Sequence, residues 1–430
     1  MCKKSLLTLL FVLPLAFACG GGARKTDAPL PERRIPELIA SVPSDALAVM
    51  CYDRCAEGMA LYDSSSVLHR LDLSAFKNAR MALSLCYAGS LMPVLALDAG
   101  RSQAADSASA VSGLLAQAAA LKLHADYIRP DSEAKRRGFV VISPSRALLQ
   151  AVRRHLSEYT SVLDAPGFRA ALAAAASEDF IIFRGSGAEK LVPRGWMQDY
   201  FPRRELTGFL QSVADWTVLT PEPGGFSVTP VCDASDTYYA NILASLPFSD
   251  SRLGALLPAD VRFALALPVS QPALREAVER HQDASVRLTR YRKTLGDLRQ
   301  ASGKDPLKWE KELDLREVAL VHFGGGAVTL VRPAREAADR GPEENPWRGF
   351  LPALYGSAFA LADDSCTATW CGWQVYGSEA AVQAFIGAER PDGGPAFKWP
   401  GKNCRFVLRT EDRLLAWEKK GIRLYSDPIR

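Results

Sequence analysis

The sequence predicts an α+β protein of two related modules, each with a largely antiparallel sheet and helices packed on one face of it. Two observations carry this prediction. Short β-prone runs come in pairs joined by tight turns, as in Ala82 to Tyr87 and Leu91 to Leu97 around Ala88-Gly89-Ser90. Hairpins of that kind set neighbouring strands antiparallel, whereas parallel strands need a long crossover between them. The second observation is an internal duplication, one ordered set of elements that occurs twice along the chain.

Each member of that set has a recognisable pattern. Residues 38–50 read LIASVPSDALAVM and residues 253–265 read LGALLPADVRFAL, so that Pro43-Ser44-Asp45 matches Pro258-Ala259-Asp260 ahead of a β-prone run. The hairpin at Ala82 is echoed by Val318 to Phe323, Gly324-Gly325-Gly326 and Ala327 to Val331. The third member is a strand delivering into a helix: Phe139 to Ile142 then Arg146 to Leu156, and Trp373 to Tyr376 then Glu379 to Gly387. Ser145 and Ser378 stand where an N-cap hydroxyl would accept a bond from an orphan backbone N–H. The first pair is offset by 215 residues and the other two by about 235, which calls for an insertion of about twenty residues in the second copy. Residues 272–300 fit it. Leu274, Ala277, His281, Ala284, Leu288, Tyr291, Leu295 and Leu298 form one helical stripe, with Arg275, Glu279, Arg287, Arg290 and Lys293 off it. One helix of that length would run about 40 Å.

The remaining elements fill in two modules, at 38–235 and 236–430. The alanine-rich stretch Gln103 to Lys122 and the segment Gly167 to Ala176 read as helices, and Phe180 to Phe183 as a strand. Trp216 to Asp233 reads as a hairpin around Pro221-Glu222-Pro223-Gly224-Gly225. The C-terminal region closes with Arg405 to Leu408, Leu414 to Glu418 and Ile422 to Tyr425.

The N-terminus is a different kind of signal. Lys3 and Lys4 precede an apolar run, Leu6 to Leu15, broken only by Thr8 and Pro14. As a helix this run reaches about 15 Å, half the roughly 30 Å of a bilayer core. It therefore reads as a secretory signal over residues 1–18 rather than an anchor. The run ends Ala16-Phe17-Ala18-Cys19, which resembles the lipobox of bacterial lipoproteins, although Phe17 is bulkier than is usual there. That resemblance implies cleavage before Cys19, diacylation of its thiol and acylation of the new amine. Two or more chains hold a protein to a membrane durably. Residues 19–37, led by Gly20-Gly21-Gly22, read as a flexible tether. No Asp directly follows Cys19, which by the same resemblance points to the periplasmic face of the outer membrane. Nowhere else do eighteen apolar residues follow one another, so the lipid is the expected membrane contact. The body is similar to a family of envelope lipoproteins of the Bacteroidota type, whose bodies start with a Pro-x-Asp-Ala strand and repeat it. That resemblance implies a two-module body and carries no activity with it.

Charge and chemistry narrow the function. Loss of Lys3 and Lys4 with the leader takes the formal net charge from +4 to +2, which gives no electrostatic case for nucleic acid. Seven cysteines remain in the body, Cys51, Cys55, Cys86, Cys232, Cys366, Cys371 and Cys404. Cys51 and Cys86 lie in apolar runs and read as buried, and Cys366 could bridge Cys371 or Cys404. Gly324-Gly325-Gly326 precedes a strand and lacks the Lys-Ser/Thr pair of a phosphate loop, so it reads as a hairpin turn. Gly185-Ser186-Gly187 lacks the outer glycines of a nucleophile elbow. His69, His124, His155, His281 and His322 have no ligand or triad partner at motif spacing. Asp363-Asp364 and Asp233/Asp236 read as solvated acidic loops before calcium sites. Trp370, Trp373 and Trp399 read as core before a sugar or peptide platform. No catalytic, metal or cofactor residue is expected, and Cys19 is the one position with an assigned chemical fate. Two function classes follow: a non-enzymatic envelope scaffold or binding protein, meeting an envelope protein through the helix at 272–300, and an exported hydrolase with a site between the modules.

Overall fold

A computed structural model of the protein describes residues 37–62, 65–101, 107–129, 138–191, 200, 208, 210–356, 363–390, 399–411 and 413–425. The expected leader, Cys19, nearly all of the tether and the first four residues of the alanine-rich helix lie outside these.

The first part of the chain forms β1 (Ala48–Tyr52), α1 (Cys55–Leu61), β2 (Met81–Tyr87), β3 (Leu91–Asp98) and α2 (Ser107–Ala120). It continues with β4 (His124–Ile128), β5 (Phe139–Ser143), α3 (Arg146–Ser157), α4 (Phe168–Ala174), β6 (Phe180–Arg184), β7 (Trp216–Glu222) and β8 (Gly225–Val231). The second part forms α5 (Tyr239–Ser245), β9 (Phe263–Leu267), α6 (Gln271–Ala284), α7 (Leu288–Ser302), α8 (Pro306–Leu313), β10 (Leu315–Phe323) and β11 (Gly326–Pro333). It ends with β12 (Arg340–Glu344), α9 (Phe350–Tyr355), β13 (Cys366–Trp370), β14 (Trp373–Gly377), α10 (Glu379–Gly387), β15 (Cys404–Thr410), β16 (Leu414–Glu418) and β17 (Gly421–Tyr425).

All 17 strands of the described residues join one sheet. Across it they run β4-β5-β3-β2-β1-β6-β7-β8-β17-β16-β15-β9-β10-β11-β14-β13-β12, with every adjacent pair antiparallel. The central contact is β8 on β17, where Val228 faces Ile422 and Phe226 faces Leu424. Outwards from that seam both sides have the same connectivity. The last three strands of a half come first, then its first, second and third, then a pair in reversed order. Among the described residues only the second half carries an additional strand, β12, at its outer edge.

Why the strands are apolar on both sides follows from what covers them. In β1 and β5 every residue is buried, a pattern that needs helices above and below. On one face α1, α2 and α5 to α9 cover a core that runs unbroken through both halves, from Met50 and Leu83 to Leu320, Leu415 and Leu424. On the other face α3 and α4 seal one cluster around Val49, Val141 and Trp216, and α10 seals a second around Ala266, Val328 and Val375. This corrects the expectation of helices on one face only. Continuous runs such as Phe139-Val-Val-Ile142 have no polar side to give to solvent. The caps fall where the sequence places them: the Ser145 hydroxyl accepts from Leu148 N–H, and Ser378 accepts from Ala381 N–H.

The single helix expected over 272–300 is also corrected. The stripe is cut into α6 and α7 by Ser285-Val286-Arg287, where Val286 takes a left-handed backbone (φ 56°). Its side chain is 94% exposed. Ser285 N–H donates to the His281 carbonyl at 3.0 Å and Arg287 N–H to that of Gln282 at 2.7 Å, which closes α6. One straight helix of about 40 Å could not double back. The reversal instead returns Tyr291 and Leu295 to the same core as Leu274 and Ala277.

Candidate binding groove

The buried polar groups beyond the backbone form two networks that the sequence did not single out. Glu317 sits at a bulge between β10 and β11 and is wholly buried. Its carboxylate accepts from the Ser251 hydroxyl at 2.5 Å, the Arg252 N–H at 2.9 Å and Arg332 Nε at 3.3 Å. Burial pushes its pKa up, and the three donors act against that rise. Glu310 on α8 accepts from Arg275 Nη2 at 2.6 Å and from the Tyr355 hydroxyl at 2.6 Å, while Arg275 also donates to Tyr291. Each oxygen in these sets is matched, so they tie α6, α7, α8 and α9 together and clamp the bulge. Only tertiary folding brings the partners together, since Glu317 lies 66 residues from Ser251.

The residues named from the sequence disperse. His155 Nδ1 lies 2.7 Å from Thr160 Oγ1, and His281 Nδ1 lies 2.9 Å from the Asp236 carbonyl. His69 stacks on Tyr62, and His322 packs between Tyr200 and Phe263. Asp363 accepts from Ser365, Asp364 from Gly349 N–H, and Asp233 from Ser235 N–H, each as a local turn or cap. Among the described residues no group of three or more His, Cys, Asp or Glu could hold a metal ion. Trp370 lies under the Arg390 guanidinium at 3.9 Å and against Phe385, and Trp399 Nε1 donates to Ser251. These tryptophans are wall rather than platform. Gly185-Ser186-Gly187 is a turn leaving β6, and Gly324-Gly325-Gly326 links β10 to β11.

Cys51 and Cys86 are buried in β1 and β2, as their surroundings suggested, and the seven body cysteines are free thiols. A bridge from Cys366 to Cys371 is ruled out by geometry. They stand at opposite ends of β13, and five residues of strand span about 16 Å where a disulfide tolerates less than about 7 Å between Cα atoms. Burial pushes the thiols of Cys55, Cys86, Cys232 and Cys404 up to about 12, so they remain protonated and unreactive. Along the line between the halves, where the alternative reading placed a hydrolase site, the described residues pair the backbones of β8 and β17 beside the shared core.

A cavity of about 360 Å³ opens instead at the outer edge of the first half, lined by α2, β4 and α3. Its construction follows from parity. Antiparallel partners point to the same face; Ala125 and Tyr127 oppose Ile142 and Val140 on the α2 face, and Asp126 and Ile128 oppose Val141 and Phe139 on the α3 face. From α2 come Leu115 and Ala119. From α3 come Arg146, Leu149, Gln150 and Arg153, spaced three and four apart and hence on one stripe of the helix. The groove thus has an apolar wall and a basic wall, with an edge strand for its floor. Arg153 Nε pairs with Asp126 at 2.5 Å. Arg146 has no ion-pair partner among the described residues, which leaves the α3 wall with an unpaired cation.

Comparison with known proteins finds no matching family model, no matching curated protein and no matching solved structure. No described helix is long and apolar enough to cross a membrane.

Proposed function

We propose that the chain is a lipid-anchored envelope protein with a binding role and no catalysis of its own, whose working surface is the groove at β4. The leader ending in Cys19 supports the anchor, and the absence of an Asp after it supports the periplasmic face of the outer membrane. On this reading the body arose by internal duplication into modules 38–235 and 236–430. The supporting observations are the shared strand order on either side of β8 and β17, the matching caps at Ser145 and Ser378, and the matching faces of β5 and β14. The single observation that carries the binding role is a sheet edge with no strand on it among the described residues, walled by two helices of unlike chemistry.

The test is site-specific photo-crosslinking in the cell's own envelope, from a photoreactive residue at Gln150 and, separately, at Val286 on the helical reversal. One reproducible adduct from Gln150 and none from Val286 is the expected result. The opposite outcome would move the binding surface to α6 and α7. Labelling with a palmitate analogue, compared between the native chain and Cys19→Ala, tests the anchor; undiminished labelling in the variant sinks it.

A further inference from the structure

Resting on that binding role, we infer that the groove accepts an extended peptide segment of an envelope protein as an added strand on β4, one whose side chains alternate between apolar and acidic. Four observations lead there. The floor is a strand edge, whose outward backbone N–H and C=O groups are the recognition element for strand addition. A strand laid beside β4 would send alternate side chains to opposite faces. One set would meet Leu115 and Ala119 of α2, the other Arg146 and Gln150 of α3 beside the Arg153–Asp126 pair. Alternation of apolar with acidic residues is the pattern that satisfies both walls at once.

The fourth observation is the second half of the sheet. There β13 stands in the place that β4 holds in the first half, and it is not an edge: β12 lies antiparallel on it. β12 reads Arg-Gly-Pro-Glu-Glu, is exposed along its length, and has α10 packed on it as α3 packs on β4. A short strand on that edge is thus a fit the molecule already makes within its own chain. In the first half the same place is the groove, and its helix supplies the arginines.

The test uses the full chain and a fluorescein-labelled synthetic peptide of about eight residues alternating leucine and glutamate, the length of an ordinary strand. Anisotropy titration should show saturable binding. Arg146→Glu should weaken it about tenfold, and Arg146→Glu with Arg153→Glu further still. Both arginines are exposed, and unchanged circular dichroism checks that the variants fold. Methylation of alternate peptide nitrogens should abolish binding in one of the two registers, because it removes the edge bonds and leaves every side chain in place. Equal binding by both methylated peptides overturns strand addition. Equal binding by a leucine-lysine peptide overturns the charge assignment, and full competition by glutarate recasts the groove as a small-carboxylate site. If Gln150 still crosslinks while the peptide does not bind, this inference fails and the binding role stands; if Gln150 gives no adduct, both fail.

Discussion

At one end of the sheet β13 carries β12 on its outer side; at the other, β4 faces a groove. The two ends share strand order and the helix packed on one face, so the difference isolates what an edge strand is for. A bare edge invites pairing with any extended chain, and proteins usually cover it. The second half covers its own. The first half lines its edge with Arg146, Arg153 and His124, and on the reading proposed above these residues select what pairs there. The halves differ a second time between their first and second strands. There, among the described residues, the first half has one short α-helix, whereas the second has three, held by the Glu310 network.

That contrast can be broken or sharpened in order of expected effect. Glu310→Ala should cost about 4 kcal/mol, since it leaves Arg275 buried without its carboxylate. Denaturant titration measures the loss, and hydrogen exchange should place it in α6 to α8 while β1 to β5 stay protected. Next comes acid. His322 holds the place in β10 that Leu85 holds in β2, each next to the hairpin turn and on the shared-core face, and burial pushes its pKa down to about 4. An unfolded histidine titrates near 6.5. Its contribution is therefore complete above about pH 6.5 and is lost as pH falls towards 4, by about 2–3 kcal/mol. His322→Leu should flatten that slope in thermal melts across the window, making the second half behave like the first.

The seam is tested by Gly225→Ala. A Cβ there would lie 2.0 Å from the Leu424 carbonyl oxygen, so β8 and β17 must part locally. The expected loss is about 2 kcal/mol, with unfolding still in one transition because the core on one face is continuous. Two separate transitions would show that the halves are independent. The smallest and most symmetrical effect belongs to the caps: Ser145→Ala and Ser378→Ala should each cost about 1 kcal/mol. Markedly unequal values would weaken the correspondence between the halves.

Much of this architecture was legible locally. Hairpins announce themselves through turns such as Ala88-Gly89-Ser90, and Ser145 and Ser378 mark helix starts, because both signals act over a few residues. The break at Ser285-Val286-Arg287 was not legible, since the apolar stripe keeps its period across the reversal. β4 escaped notice too. His124 to Ile128 is short and none of it is fully buried, the pattern of an edge strand with little core of its own. The groove has no motif to read, for it joins α2, β4 and α3 through parity and packing rather than spacing. The pairing of β8 with β17 depends on residues far apart in the chain, beyond the reach of any local pattern.

The placement of β17 has a consequence for how the molecule comes into being. The last described strand occupies the middle of the sheet, between β8 and β16. A chain that emerges from its N-terminus onwards can assemble β1 to β8 early, yet it must hold the edge of β8 open until β17 has emerged. Loop closure over so long an interval is slow, and an exposed edge during the wait is the form most prone to wrong pairing. Loss of the final strand would thus turn the centre of the molecule into its most adhesive surface.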